Sequence, residues 1–342
     1  MSAVFAVVVS ALVAAWATRA LVHAPHWLHI LDVPNARSLH SEPIPRSGGL
    51  AIVAALGVGS AIVVAAFPVD AQLAWLALGA IVVASISFLD DRFEVHAGVR
   101  LTCHIIAALL LWPSGVLAAT AVLDLGAFTL PASVGMLTGI VAVVWMTNLY
   151  NFMDGMDGFA AGMTMMGFGA YALFGWYASE MAFAALSAVI AAAAAGFLLF
   201  NFPPARIFMG DTGSSTLGFL AAAFALWGTS VGVFEWGTAV LVFSPFIVDA
   251  TVTLLRRLLR GEKVWQAHKS HYYQRLVQAG WGHRRTVLAE YVLMFACIGM
   301  ATWFNLASGP ARLLVPGGAV LLYLALARGV VVQERRHAGG VR

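Results

Sequence analysis

Residues 181–200 read MAFAALSAVIAAAAAGFLLF, twenty positions without one charged side chain. A helix rises 1.5 Å per residue, so such a run covers about 30 Å, the thickness of a bilayer's hydrocarbon core. Runs of the same kind lie on both sides of it, at 159–178 and 213–230. Across the whole chain they fall at 2–22, 50–67, 72–89, 100–118, 132–150, 159–178, 181–200, 213–230, 235–255, 286–305 and 311–332. The fourth is the weakest, because Pro113 interrupts it. The composition agrees: 61% of the 342 residues are hydrophobic and 10% are charged, against about 25% charged in soluble domains. The expected fold is an all-α polytopic membrane protein with about eleven transmembrane helices. It forms a single membrane domain over 1–342, without linker, repeat or low-complexity tract.

The first run has no basic stretch before it, and its first positive residue, Arg19, comes after Ala17. That order fits a retained helix rather than a signal peptide. Cys103 and Cys297 each sit inside an apolar run, without the spacing of a metal site or a disulfide framework. Segment 121–131, AVLDLGAFTLP, is expected to form a small outer hairpin around Gly126.

Charge decides the orientation. One alternate set of connections holds Arg37, Arg46, Arg92, Arg206 and the basic stretch from Arg256 to Arg285. The other set (68–71, 119–131, 179–180, 231–234, 306–310) has no Lys or Arg, and only Arg312 lies beside it. Cytoplasmic connections carry the basic excess. The N-terminus is therefore expected outside, in the periplasm, and the C-terminus, with Arg335, Arg336 and Arg342, in the cytoplasm.

Ionisable groups near a bilayer are costly and mark function by default. Here they gather on the expected cytoplasmic side. FLDDRFEV at 88–95 places Asp90 beside Asp91. Two adjacent carboxylates repel unless a cation shares them; the plainer alternative is a solvated helix end paired with Arg92. In NLYNFMDGMDGFAAG at 148–162, Asn148 and Asn151 share a helix face if the helix persists. Asn151 and Asp154 offer the hard oxygens that Mg²⁺ accepts, and Asp157 follows. Asx-capped turns are the alternative. IFMGDTGSSTLG at 207–218 puts Asp211 at a glycine-lined helix start, a place for a Mg²⁺-bound diphosphate or simply a cap.

The stretch 256–285 carries eight Lys or Arg against one acid, Glu262. That is ordinary positive-inside charge with attraction to anionic lipid, or a phosphate and sugar site built on His268, Lys269 and His271. A zinc site is not expected there. DVPNARSLHSEPIPRSGG at 32–49 offers Arg37, His40 and Arg46 as anion contacts, or is a plain connection.

These five motifs, in this order over residues 32 to 290, resemble the polyprenyl-phosphate N-acetylhexosamine-1-phosphate transferases. The resemblance implies eleven helices around a cytoplasmic cleft in the bacterial inner (plasma) membrane. It implies Mg²⁺, with Mn²⁺ as substitute, a UDP-N-acetylamino sugar as donor and a polyprenyl (undecaprenyl) phosphate as acceptor. The metal pattern carries onto Asn151 and Asp211 and the acidic pair onto Asp90 and Asp91. A diphosphate-contacting basic residue carries onto Arg100. Asp154, Asp157, His268 and His271 complete the expected catalytic set, and Asn148, Arg46 and Lys269 the substrate-binding set. HKSH at 268–271, in place of a run of histidines, is similar to the branch that initiates O-antigen and related surface glycans. No nucleic-acid partner is expected, and a homodimer is compatible with the sequence. Two rivals stay open: a secondary transporter, with Pro245 and Asp249 in the ninth run as its support, and an intramembrane aspartyl protease reading of MGDTG.

Overall fold

The computed structural model describes residues 1–23, 30–32, 43–70, 73–117, 131–263 and 268–340. The expected hairpin at 121–131, and Arg37 and His40, lie outside the described residues, apart from Pro131 at the hairpin's end. The fold is all-helical but for one two-stranded ribbon.

Helix α1 spans Ser2–Val22. The ribbon pairs β1 (Leu31–Asp32) with β2 (Ile44–Pro45), antiparallel, Leu31 opposite Pro45. Then follow α2 (Gly48–Ala66), α3 (Ala74–Phe93), α4 (Ala97–Leu109), α5 (Ala132–Met153), α6 (Phe159–Tyr177), α7 (Met181–Asn201) and α8 (Gly210–Ser230). The chain continues with α9 (Trp236–Val242), α10 (Ser244–Leu259), α11 (Tyr272–Leu276), a π-helical turn Val277–Trp281, α12 (Gly282–Leu306) and α13 (Pro310–Gly340).

Seven of these helices are long and apolar enough to cross a membrane, or eight if the bent pair α9–α10 counts as one span, among the described residues. The outer surface is apolar: α1 alone exposes Val4, Phe5, Val8, Leu12 and Trp16. A soluble monomer rarely shows so continuous an apolar face. The chain is a multi-pass membrane protein.

Helix α8 lies at the centre, buried from Thr212 to Gly228, against α5, α3 and α2. Small residues permit this. A Cβ on Gly218 would stand 2.6 Å from Met146 O and from Tyr150 Cβ of α5. Helix α1 uses the same device, burying Ala6, Ser10, Ala14 and Thr18 at four-residue spacing. Ser10 Oγ donates to Val189 O of α7 at 3.1 Å. Between apolar helices, close backbone approach and such bonds replace the missing hydrophobic drive.

Each of the eleven expected runs holds helix, but α6 and α8 are not among the helices long and apolar enough to cross, and two other runs depart in form. The fourth stops at Leu109, four residues before Pro113. At 13 residues it is about 20 Å long, so the helix alone is shorter than the hydrocarbon core. The ninth is two helices bent by 79°. Pro245 lies in the first turn of α10, where its missing N–H leaves no helical bond unmade.

Candidate active site

Three helix ends meet at one rim of the bundle: the C-termini of α3 and α5 and the N-terminus of α8. Helix α3 continues past its apolar run to Phe93, so Asp90 and Asp91 occupy its last turns. Helix α5 continues to Met153 and keeps Asn148 and Asn151 helical. Helix α8 begins at Gly210, which puts Asp211 inside its first turn.

Asp91 faces the start of α8. Its Oδ1 accepts from Asp211 N at 3.0 Å, and its Oδ2 from Thr212 N at 2.9 Å and Thr212 Oγ1 at 2.6 Å. A carboxylate here satisfies free helix N–H groups and meets the positive end of the helix dipole. Arg46 donates to Asp91 O at 2.7 Å, with its Nε 3.9 Å from Asp91 Oδ1. Gly210 has φ +70° and no room for a side chain: a Cβ would stand 2.3 Å from Arg46 O and 3.0 Å from both Asp91 carboxylate oxygens. Arg46 itself is placed by the ribbon, where Phe208 N donates to Pro45 O and Arg46 N to Ile30 O, each at 2.7 Å.

Asp90 accepts from Val95 N at 2.8 Å and pairs with Arg100 Nη1. The same Nη1 lies 3.3 Å from Asp211 Oδ2, so Arg100 bridges Asp90 and Asp211. Exposure separates the roles. The Asp91 and Asp90 side chains are 2% and 9% accessible, against 28% for Asp211 and 35% for Arg100. Asp211 and Arg100 therefore form the open edge, and the acidic pair braces them from behind.

Asn151 donates Nδ2 to Ser214 Oγ at 3.1 Å and lies within hydrogen-bonding reach of Asp211. Asp154 is half-buried at the end of α5. Loss of water, then the Asp211, Asp91 and Asp157 carboxylates, push its carboxyl well above the usual carboxylate range. Among the described residues no group of three or more His, Cys, Asp and Glu forms a self-sufficient metal site. The donor set is hard oxygen with mutually repelling carboxylates. It fits an ion that takes one or two side chains and completes its shell with phosphates and water, as Mg²⁺ does.

Other expected residues are turned to structural work. Asn148 donates to Val144 O at 2.7 Å and its Nδ2 lies 3.2 Å from His104 Nδ1, away from Asp211. Asp157 accepts from Ala205 N at 3.0 Å and sits 2.9 Å from His283 Nδ1, tying three connections together. His271 is 2% accessible. It caps α11 in a reciprocal box with Gln274, and its Nδ1 lies 3.3 Å from Asp249 Oδ1. Its ring stacks on Tyr273. His268 and Lys269 stay partly accessible, with the His268 ring 4.8 Å from that of His271.

Asp249 is the residue whose role sequence reading missed. It accepts from Tyr272 N at 2.9 Å, Tyr273 N at 3.2 Å and Thr253 Oγ1 at 3.0 Å. A carboxylate engaged on both oxygens is not a transport site, which removes the main support for the transporter reading. Pro245, four residues earlier, signals a bend in the ninth run but not which groups Asp249 binds.

The profile of the family described as Glycosyl transferase family 4 matches residues 73–229, which contain every member of this cluster except Arg46. A Bacillus subtilis protein named "Probable undecaprenyl-phosphate N-acetylglucosaminyl 1-phosphate transferase" is 31% identical over 275 residues, 78% of this chain and 74% of that protein. The chain belongs to this family. A decaprenyl-phosphate N-acetylglucosaminephosphotransferase of Mycolicibacterium smegmatis is 30% identical over 313 residues, 79% of this chain and 75% of its own. A phospho-N-acetylmuramoyl-pentapeptide-transferase of Halalkalibacterium halodurans is 31% identical over 183 residues, 52% of each. The glycosyl transferase family 4 profile thus begins at the start of α3 and ends at the last turn of α8, the two helices that Asp91 joins.

Proposed function

We propose that the chain transfers an N-acetylamino-sugar-1-phosphate from a UDP-sugar to a polyprenyl phosphate. UMP is released and a polyprenyl-diphosphate-sugar remains, the first step of a lipid-linked surface glycan. The observation that carries this is the meeting of Asp211 and Arg100 on one open edge beside Asn151, with Asp90 and Asp91 buried behind them and Arg46 held on Asp91. The names of the relatives point to N-acetylglucosamine as the sugar.

In the reaction an oxygen of the acceptor phosphate bonds to the β-phosphorus of the donor, and the bond from that phosphorus to the UMP oxygen breaks. One phosphoanhydride is exchanged for another, so no further energy source enters. Phosphoryl transfer of this kind rests on positioning and charge neutralisation. Asp211 and Asn151 would hold a Mg²⁺ ion, which supplies positive charge to the diphosphate when bound. Arg100, held between Asp90 and Asp211, places a second positive charge at the leaving UMP. Asp91 fixes the first turn of α8, and so the position of Asp211. The acceptor phosphate is already largely ionised at neutral pH, so no side chain has to act as its base. His268, partly accessible on the segment before α11, would contact the sugar.

The distribution of Lys and Arg supports an eleven-span arrangement with the N-terminus outside and this rim in the cytoplasm of a bacterial inner membrane. The test is product analysis. Purified protein with UDP-N-acetylglucosamine and undecaprenyl phosphate should yield undecaprenyl-diphosphate-N-acetylglucosamine and UMP by mass spectrometry. Free sugar phosphate formed without lipid-linked product would sink the proposal.

A further inference from the structure

A second polar cleft, lined by none of the acidic-rim residues, lies between the end of α10, α11 and α13, with a volume of about 450 Å³. Arg256, Arg257 and Arg260 line it from α10, Lys269 and Arg275 from the segment around α11, and His337 from α13. Two acids offset them. Glu334 takes Arg275 Nε and Nη2, each at 2.7 Å, and Glu262 takes Arg257 Nε at 2.7 Å. Five permanent cations thus face two acids. Arg275 Nη1 is buried without a hydrogen-bond partner. Arg256 is aimed by Tyr272, whose hydroxyl accepts from Nη1 at 3.1 Å.

The opposite side of α10 is apolar. Leu255, Leu258 and Leu259 are 53%, 60% and 86% exposed. They fall at i, i+3 and i+4, one helical stripe, while the arginines turn to the cleft. Such a helix end lies in the membrane surface with its leucines in the acyl region and its charges at headgroup level. A basic cleft between helices at that depth is suited to an anionic headgroup.

We propose that this cleft is a phosphate-binding site filled by the headgroup of an anionic phospholipid. None of Asp90, Asp91, Arg100, Asn151 and Asp211 lines it, and Lys269 belongs to this cleft. The ligand chemistry is a phosphate oxygen received by guanidinium forks, for which Arg256 and Arg260 are the least committed donors.

Native mass spectrometry of the full detergent-solubilised chain tests this. Phosphatidylglycerol adducts should survive activation that strips phosphatidylcholine of the same acyl chains. Arg256→Gln with Arg260→Gln should weaken phosphatidylglycerol retention at least about tenfold, at roughly fivefold per basic residue. The single variant Arg260→Gln, at an exposed helix end, should show part of that loss. Arg312→Gln, which breaks a pair with Glu235 elsewhere, should show none. Inorganic phosphate bound with the same arginine dependence, and no preference for the anionic lipid, would support the phosphate site with free phosphate as its source. Equal retention of the two lipids with no bound phosphate, or retention unchanged by Arg256→Gln with Arg260→Gln, would overturn the proposal. So would displacement of phosphatidylglycerol by UMP, which would fold the cleft into the donor site.

Discussion

Asp91 and Asp211 carry the same side chain and do different work. Asp91 is buried and spends both oxygens on the first turn of α8, whereas Asp211 stands at the open edge. Asp211→Asn should therefore lower turnover at least about a hundredfold, the usual cost of a lost transition-state charge contact. Its thermal unfolding should match that of the parent. An Asp211→Asn protein that keeps parental turnover at limiting Mg²⁺ would remove Asp211 from the metal site. Asp91→Ala leaves two buried N–H groups and a hydroxyl unpaired. It should cost about 2 kcal/mol or more of stability, seen as a lower melting temperature together with lost activity. The sequence offered Asn151 and Asp211 as candidates because hard donors beside glycines form short local patterns. The bracing role of Asp91 was not, because its partner Thr212 lies 121 residues away, and only the packing of α3 on α8 brings them together.

At the scale of the element, the segment 268–276 is held by α10. Asp249 receives the first N–H groups of α11, and His271 closes its capping box. Asp249→Ala should release this segment without disturbing the acidic rim. Limited proteolysis between residues 260 and 280 should quicken several-fold, sugar-phosphate transfer should fall, and inhibition by UMP should persist. Proteolysis at the parental rate would show that Asp249 does not hold the segment. His271 is buried in this brace, so its capping box with Gln274 is what it contributes to the segment. The helices themselves were readable from apolar runs, since hydropathy reports length directly. The break between α9 and α10 was not. A proline that opens a second helix reads locally like one that kinks a single helix, and the difference lies in the 79° turn. The polar last turn of α10 escaped for a related reason: a helix leaving the bilayer keeps its hydrogen bonds after its apolar composition has ended.

At the scale of the whole molecule, the proposed reaction requires the acidic rim and the basic end of α10 to share one face of the membrane with the nucleotide donor. In a background lacking Cys103 and Cys297, a cysteine at Gly261 should be shielded from an impermeant thiol reagent in intact cells, and one at Ser308 should label. Labelling of Gly261 with shielding of Ser308 would invert the arrangement and separate the rim from cytoplasmic UDP-sugar. The central claim is transfer of a sugar phosphate from a nucleotide diphosphate to a lipid monophosphate, and the reversal of that transfer tests it most directly. Purified protein given labelled UMP, unlabelled UDP-N-acetylglucosamine, undecaprenyl phosphate and Mg²⁺ should move label into the nucleotide sugar, and Asp211→Asn should abolish that exchange. No label in the nucleotide sugar under conditions where the protein is folded, or exchange that proceeds equally without the lipid phosphate, would contradict the account.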